Sequence, residues 1–95
     1  MYTSTHITGK KAKALVTKGA KLIDTRTPVQ FRDGTLPGAV NMSPRQVSAL
    51  IKYPKNTKLV FFGDDSAAID AFINYAKSMG FADVYTFGGM ENWGV

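Results

Sequence analysis

The sequence predicts an α/β domain built around a mostly parallel sheet. Short apolar segments (Leu22-Ile23, Leu59–Phe62, Val84–Phe87) alternate with stretches of helical period, and strong turn or cap residues separate them. With 95 residues there is material for one hydrophobic core and not for two, so a single domain over residues 1–95 is expected, with residues 1–6 frayed.

Each element has a local reason. Thr8 is placed to N-cap a helix running to Lys18, with Ala12, Leu15 and Val16 inward and Gly19 closing it. Lys21-Leu22-Ile23-Asp24 reads as a buried parallel strand that feeds a loop at its C-terminal end. Pro28, Asp33-Gly34 and Pro37-Gly38 mark turns, with one helical turn around Val29–Arg32, and Ala39-Val40-Asn41 is a very short strand. Ser43 and Gln46 form a capping box with Pro44 at the first helical position. Met42 and Val47 complete the staple of a helix expected to reach Ile51. After Tyr53-Pro54-Lys55-Asn56 comes the strand Lys58–Phe62. The longest helix follows, with Ala68, Ala71, Phe72, Tyr75, Ala76 and Met79 inward and Asp70, Asn74, Lys77 and Ser78 as its polar stripe. Gly80 ends it, Val84–Phe87 forms the last strand, and Gly88-Gly89 turns into Met90–Trp93.

Composition removes several classes of function. A hydrophobic content of 44% rules against disorder, and no apolar run approaches the ~18 residues of a membrane span. Met1–His6 has no charged-then-apolar leader pattern. Cysteine is absent, so there is no disulfide or thiolate metal site, which fits an expected cytoplasmic location. The single His6 makes no zinc site. No metal or cofactor is expected.

Charge is unevenly placed. Residues 1–63 carry eleven Lys/Arg against two Asp, and residues 64–95 carry one Lys against five acids. Lys10, Lys11, Lys13, Lys18 and Lys21 all precede the first acid, Asp24. No aromatic platform or nucleic-acid motif accompanies them in sequence, so a solvated face or the docking surface of a protein partner is expected rather than a nucleic-acid site.

The most informative junction is the strand Leu59–Phe62 running into Gly63-Asp64-Asp65-Ser66-Ala67-Ala68 and then the long helix. Such a junction aims backbone N–H groups and a helix dipole at one point, a natural anion site. Three pieces around it stand in a familiar order: Leu22-Ile23-Asp24-Thr25-Arg26 with Phe31 and Gly34–Asn41, then Leu59–Ala68 with Gly80-Phe81, then Gly88-Gly89-Met90-Glu91-Asn92-Trp93. Together they resemble the rhodanese-like domains over residues 8–95. The resemblance implies a central, mostly parallel five-stranded sheet with helices on both faces.

It also implies a missing part. Active members carry a cysteine at the position of Gly63, which takes up sulfane sulfur as a persulfide and passes it to cyanide, thiols or a protein acceptor. That chemistry needs a polarizable thiolate, which glycine cannot supply. The spacing from Gly63 to Gly80 matches that from the family's cysteine to the glycine after its helix, so no displaced nucleophile is expected. The loop's basic or neutral polar residues are replaced by Asp64 and Asp65, which repel thiosulfate or phosphate, and the family's common histidine is Thr35. Asp24 and Arg26 are retained and are expected at the pocket rim. Asp65 or Ser66 is placed to cap the helix, so that an internal carboxylate fills the anion site. Ser66 has no base in reach to make it a nucleophile.

These readings give no catalytic residue. The chain is expected to be an inactive rhodanese-like domain serving as a protein-binding or regulatory module. The alternative is a sulfurtransferase-related role, in which a partner supplies the cysteine or a small anion binds non-covalently in the residual loop.

Overall fold

The computed structural model describes residues 5–95, and its strands and helices alternate along the chain. Strand β1 (Lys21–Asp24) lies at the centre, with β2 (Val40–Asn41) on one side and β3 (Leu59–Phe62) on the other, and β4 (Val84–Thr86) follows β3. Every pairing is parallel. Among the described residues, the five-strand expectation is therefore corrected to four. The chain before α1 (Gly9–Thr17) makes only an isolated parallel bridge, His6 with Thr86, on the free edge of β4. On the α1 side the segment is bounded by Thr8, which caps α1 with its side chain. Thr86 N–H donates to Thr5 O at 2.9 Å, and Ile7 N–H donates to Thr86 O at 2.9 Å. Thr5 is buried there, so the frayed start expected over residues 1–6 does not include it, and residues 1–4 lie outside the described residues.

Alternation along the strands splits the core into two layers. Ile23, Leu59 and Phe61 face α3 (Ser66–Ser78) and the 3₁₀ helix Pro44–Lys52. Leu22, Val60 and Phe62 face α1 and the C-terminal segment that carries Met90 and Trp93. Helical segments thus cover both faces of the sheet. Trp93 stacks at 5.4 Å on Phe87, which in turn lies 5.6 Å from Phe62, so the last residues seal this second layer. Among the described residues, no helix is long and apolar enough to cross a membrane.

Two helices differ from expectation for identifiable reasons. The segment after the Ser43 cap is 3₁₀ rather than α. Its core-facing residues Val47, Leu50 and Tyr53 recur every three positions, the period of a 3₁₀ turn, and its last bond runs from Tyr53 N–H to Leu50 O. The short turn expected around Val29–Arg32 is a capped helix, α2 (Pro28–Asp33), held by a reciprocal box between Thr27 and Gln30.

On α3 the buried residues are Ile69, Phe72, Ile73 and Ala76, so the inner face is rotated from the one expected. Ala71 and Tyr75 are exposed, while Ala68, Ala71 and Tyr75 border a shallow apolar groove beside Pro44 and Val47. The small alanines had masked the choice, because the larger β-branched Ile69 and Ile73 gain more from burial. Ile73→Ala is expected to cost about 2–5 kcal/mol in urea denaturation, and Ala71→Ser less than about 0.5 kcal/mol. Equal losses would show that the helix face is misassigned.

Candidate functional site

The chain order of the sheet decides where a cleft can form. From β1 the chain crosses to β2 on one side and then to β3 on the other. Loops leaving the C-terminal ends of β1 and β3 therefore diverge, and a crevice opens at this switch point. It is a cleft of about 460 Å³ lined by Arg26, Gly63, Asp64, Ser66, Ile69 and the turn Gly88–Glu91.

One wall is built on a buried carboxylate. Asp24 ends β1 with no solvent exposure. Its oxygens accept hydrogen bonds from Arg26 Nη2 (2.8 Å), Arg26 Nε (3.0 Å), the Arg26 N–H (2.9 Å) and the Thr35 hydroxyl (2.8 Å). Arg26 Nη2 also donates to Gly34 O at 2.7 Å. Burial alone pushes the Asp24 carboxyl up. The hydrogen bonds from Arg26 and Thr35, with the guanidinium charge, outweigh it and hold Asp24 below the ordinary value of 3.8. The same hydrogen bond to Asp24 raises Arg26. Thr35 thus serves as a donor to this carboxylate. Asn41 adds bonds from Nδ2 to Asp24 O (3.0 Å) and Arg26 O (2.8 Å), tying β2 to the same corner.

The other wall is the loop after β3. Gly63 is buried, and its N–H donates to Gly88 O at 3.0 Å. A Cβ added at Gly63 would run into Thr25 Oγ1. That hydroxyl is fixed by donating to Phe62 O at 3.0 Å, and Thr25 is itself buried. The space a side chain at Gly63 would need is filled from the neighbouring strand end. The N-cap of α3 is Asp65, whose Oδ1 accepts from the N–H groups of Ala67 (3.0 Å) and Ala68 (3.3 Å). Donors that an anion would use are already taken by a carboxylate. Asp64 accepts from Gln30 Nε2 at 2.9 Å, which closes the loop onto α2.

The structure sorts the residues singled out from sequence. Arg26, Gly63, Asp64 and Ser66 line the cleft; Asp24 stands behind Arg26; Asp65 caps the helix, and Ala67 is exposed beside it. Ala68 lies toward the apolar groove instead. Ile69, Met90 and Glu91 were not anticipated as cleft residues. Ile69 carried no polar signal, and the other two depend on how the Gly88-Gly89 turn folds back. Thr25 was missed as well, since only the pairing of β1 with β3 brings its hydroxyl to Gly63. Ser66 has no imidazole nearby, because His6 sits by Asp70 (3.9 Å) and lines a separate cavity with Thr5, Ile73 and Asn74. Among the described residues, no group of three or more His, Cys, Asp or Glu is arranged to hold a metal ion.

The model of the rhodanese-like domain matches residues 8–95. The chain belongs to this family. It is 30% identical over 89 residues to the thiosulfate sulfurtransferase GlpE of Pseudomonas syringae pv. syringae, covering 88% of this chain and 81% of that protein. A shorter likeness, 55% identity over 31 residues, links it to a tRNA 2-selenouridine synthase of Cronobacter sakazakii, 33% of this chain but only 8% of that enzyme. Among solved structures, the Alr3790 protein of Anabaena sp. superposes with a TM-score of 0.79 at 23% identity, covering 90% of this chain and 81% of that one. The human single-domain sulfurtransferase TSTD1 gives 0.74 at 19% identity, with 87% and 88% covered. These structures establish the rhodanese-like fold. The matched region includes the Asp24 corner, the Gly63 loop and the Gly88–Glu91 turn that surround the cleft.

Two outcomes follow from this geometry. Asp24 contributes stability that is complete above its unfolded value of 3.8 and is lost as pH falls through its lower folded value. In pH-dependent denaturation, Asp24→Asn should therefore flatten the acid limb below about pH 4, and at neutral pH it should cost about 3–5 kcal/mol by stranding Arg26. An unchanged acid limb would remove Asp24 from this role. Asp65→Ala should cost about 1 kcal/mol, seen as a fall in Tm of roughly 4–8 °C, with Asp65→Ser restoring most of it.

Proposed function

We propose that this rhodanese-like, sulfurtransferase-related domain is catalytically silent in persulfide chemistry and serves as a protein-binding or regulatory module. The observation that carries the reading is the filled nucleophile position: Gly63 faces Thr25 Oγ1 where a side chain would stand. The loop electrostatics support it. Asp65 consumes helix N-terminal donors, and Asp64 and Glu91 border the cleft with negative charge. Both features oppose an incoming thiosulfate dianion, and only Arg26 among the lining residues offers a positive group, already engaged by Asp24. The partner surface in this reading is the lysine-rich half of the chain, where Lys10, Lys11 and Lys13 stand exposed on α1. Location in the cytoplasm belongs to the same proposal and rests on the absence of cysteine.

A second reading is favoured by the persistence of the cleft itself, with Gly63 and Gly88 in place. In that case the domain takes part in sulfur transfer through a partner's cysteine, or binds a small anion without covalent chemistry. One solved rhodanese of E. coli, similar in fold with a TM-score of 0.68, is described with anions.

A thiosulfate:cyanide sulfurtransferase assay on the native chain and on Gly63→Cys separates the readings. No turnover is expected from either, because the added Cβ meets Thr25 and the acids remain. Turnover in Gly63→Cys alone would favour the second reading, a pocket complete except for its nucleophile. Turnover by the native chain would overturn catalytic silence altogether.

A further inference from the structure

The end of the molecule opposite the cleft carries a second organised feature. Lys21 is the first residue of β1, Lys58 immediately precedes β3, and Lys21 N–H donates to Lys58 O at 2.9 Å. The chain leaving the 3₁₀ helix brings Tyr53 to the same place. Its half-buried ring packs on the core and holds two ammonium groups, Lys52 Nζ at 5.3 Å and Lys21 Nζ at 5.9 Å from the centroid. Lys55 Nζ sits 4.7 Å from the Phe81 ring. All four lysines are exposed, and the neighbouring acid, Asp83, engages Lys58 at 3.5 Å. Lys52, Lys55 and Lys58 share one stretch of chain, and Lys21 joins them over Tyr53 only in the folded state.

Helix dipoles do not account for it. A C-terminal helix end favours one nearby cation, which explains Lys52 in the last turn of the 3₁₀ helix. Lys21 lies in a strand, and Lys55 and Lys58 lie in the loop between Lys52 and β3. The opposite end of the sheet carries Asp64, Asp65 and Glu91 after β3 and β4, beside Arg26 in the cleft and the start of α1, whose Lys10 N–H bonds Val95 O. A polyanion is steered to the lysine end and repelled from the cleft. These residues are ammonium point charges with no arginine fork among them. That chemistry suits sequence-independent contact with phosphodiester groups, where charge density and counterion release supply the affinity.

We propose that the Lys21–Lys52–Lys55–Lys58 face, ordered by Tyr53, binds the phosphodiester backbone of a polynucleotide. The site is distinct from the cleft and from the α1 lysines, and it reads no base sequence.

Fluorescence anisotropy with a labelled single-stranded oligothymidylate and with a mixed-sequence duplex tests this on the full chain. With about four phosphates neutralised, log K should fall against log[salt] with a slope near −3 for the single strand and near −3.6 for the duplex. The variant Lys21→Gln/Lys52→Gln/Lys55→Gln should weaken binding at least about tenfold at ~50 mM salt and bring the slope toward −1. The charge-matched Lys10→Gln/Lys11→Gln/Lys13→Gln should change it far less, and thermal unfolding of both variants confirms that they fold. The tighter affinity at equal salt identifies whether single or double strands are the better source of the backbone. No binding at low salt overturns the proposal, as does an equal loss in the α1 variant, which would mark a net-charge effect. Equal affinity for poly-glutamate would overturn it in favour of an acidic protein partner.

Discussion

The buried carboxylate of Asp24 is the constraint on which the cleft depends. A charge with no solvent exposure at the end of the central strand must be compensated by nearby donors, and the chain supplies them from Arg26, Thr35 and its own backbone. Those donors in turn fix the loop after β1 and, through Arg26 to Gly34 O, the end of α2. Such a pair is not a large net source of stability, since desolvation offsets much of the attraction. Its effect is geometric: alternative loop positions would strand a charge, so one arrangement is selected.

Around that corner, the cleft of this rhodanese-like domain combines three local features. The nucleophile's position is a glycine, the volume beside it is taken by the Thr25 hydroxyl, and the helix N-terminus is occupied by Asp65. Each change is small, yet all three act in one direction. The N–H groups of Ala67 and Ala68 at this helix start are bonded internally by Asp65. The backbone scaffold survives because it depends on Gly63 N–H to Gly88 O and on the parallel ladder, neither of which involves the lost side chain.

Parallel topology also organises the charges. All four strands point the same way, so every strand begins at one end of the molecule and finishes at the other. Lys21 and Lys58, placed at the start of β1 and before β3, and Asp64, Asp65 and Glu91, placed after β3 and β4, therefore fall at opposite ends, while Asp83 before β4 pairs with Lys58. The net charge of +5 conceals this separation, which gives the molecule two surfaces of different chemistry.

Much of this was legible in the chain itself. The alternation of short apolar runs with capped helical stretches determined the α/β class, because burial and capping act over a few residues. The cap at Thr8, the closing role of Gly80 and the absence of any thiol could be read directly, and the cap of α3 was narrowed to Asp65 or Ser66. What the sequence could not settle were quantities that depend on neighbours distant along the chain. Which side of α3 faces inward turned on how Ile69 and Ile73 pack against β3 and β4, since both sides of that helix carry apolar residues. Among the described residues, the segment before α1 contributes only a single bridge to the sheet, His6 with Thr86. Thr25 reached Gly63, and Lys21 met Lys52 over Tyr53, only once strands far apart in sequence were paired. Local propensity and pattern determined the elements and the missing chemistry; strand pairing alone decided what fills the cleft and where the charges gather.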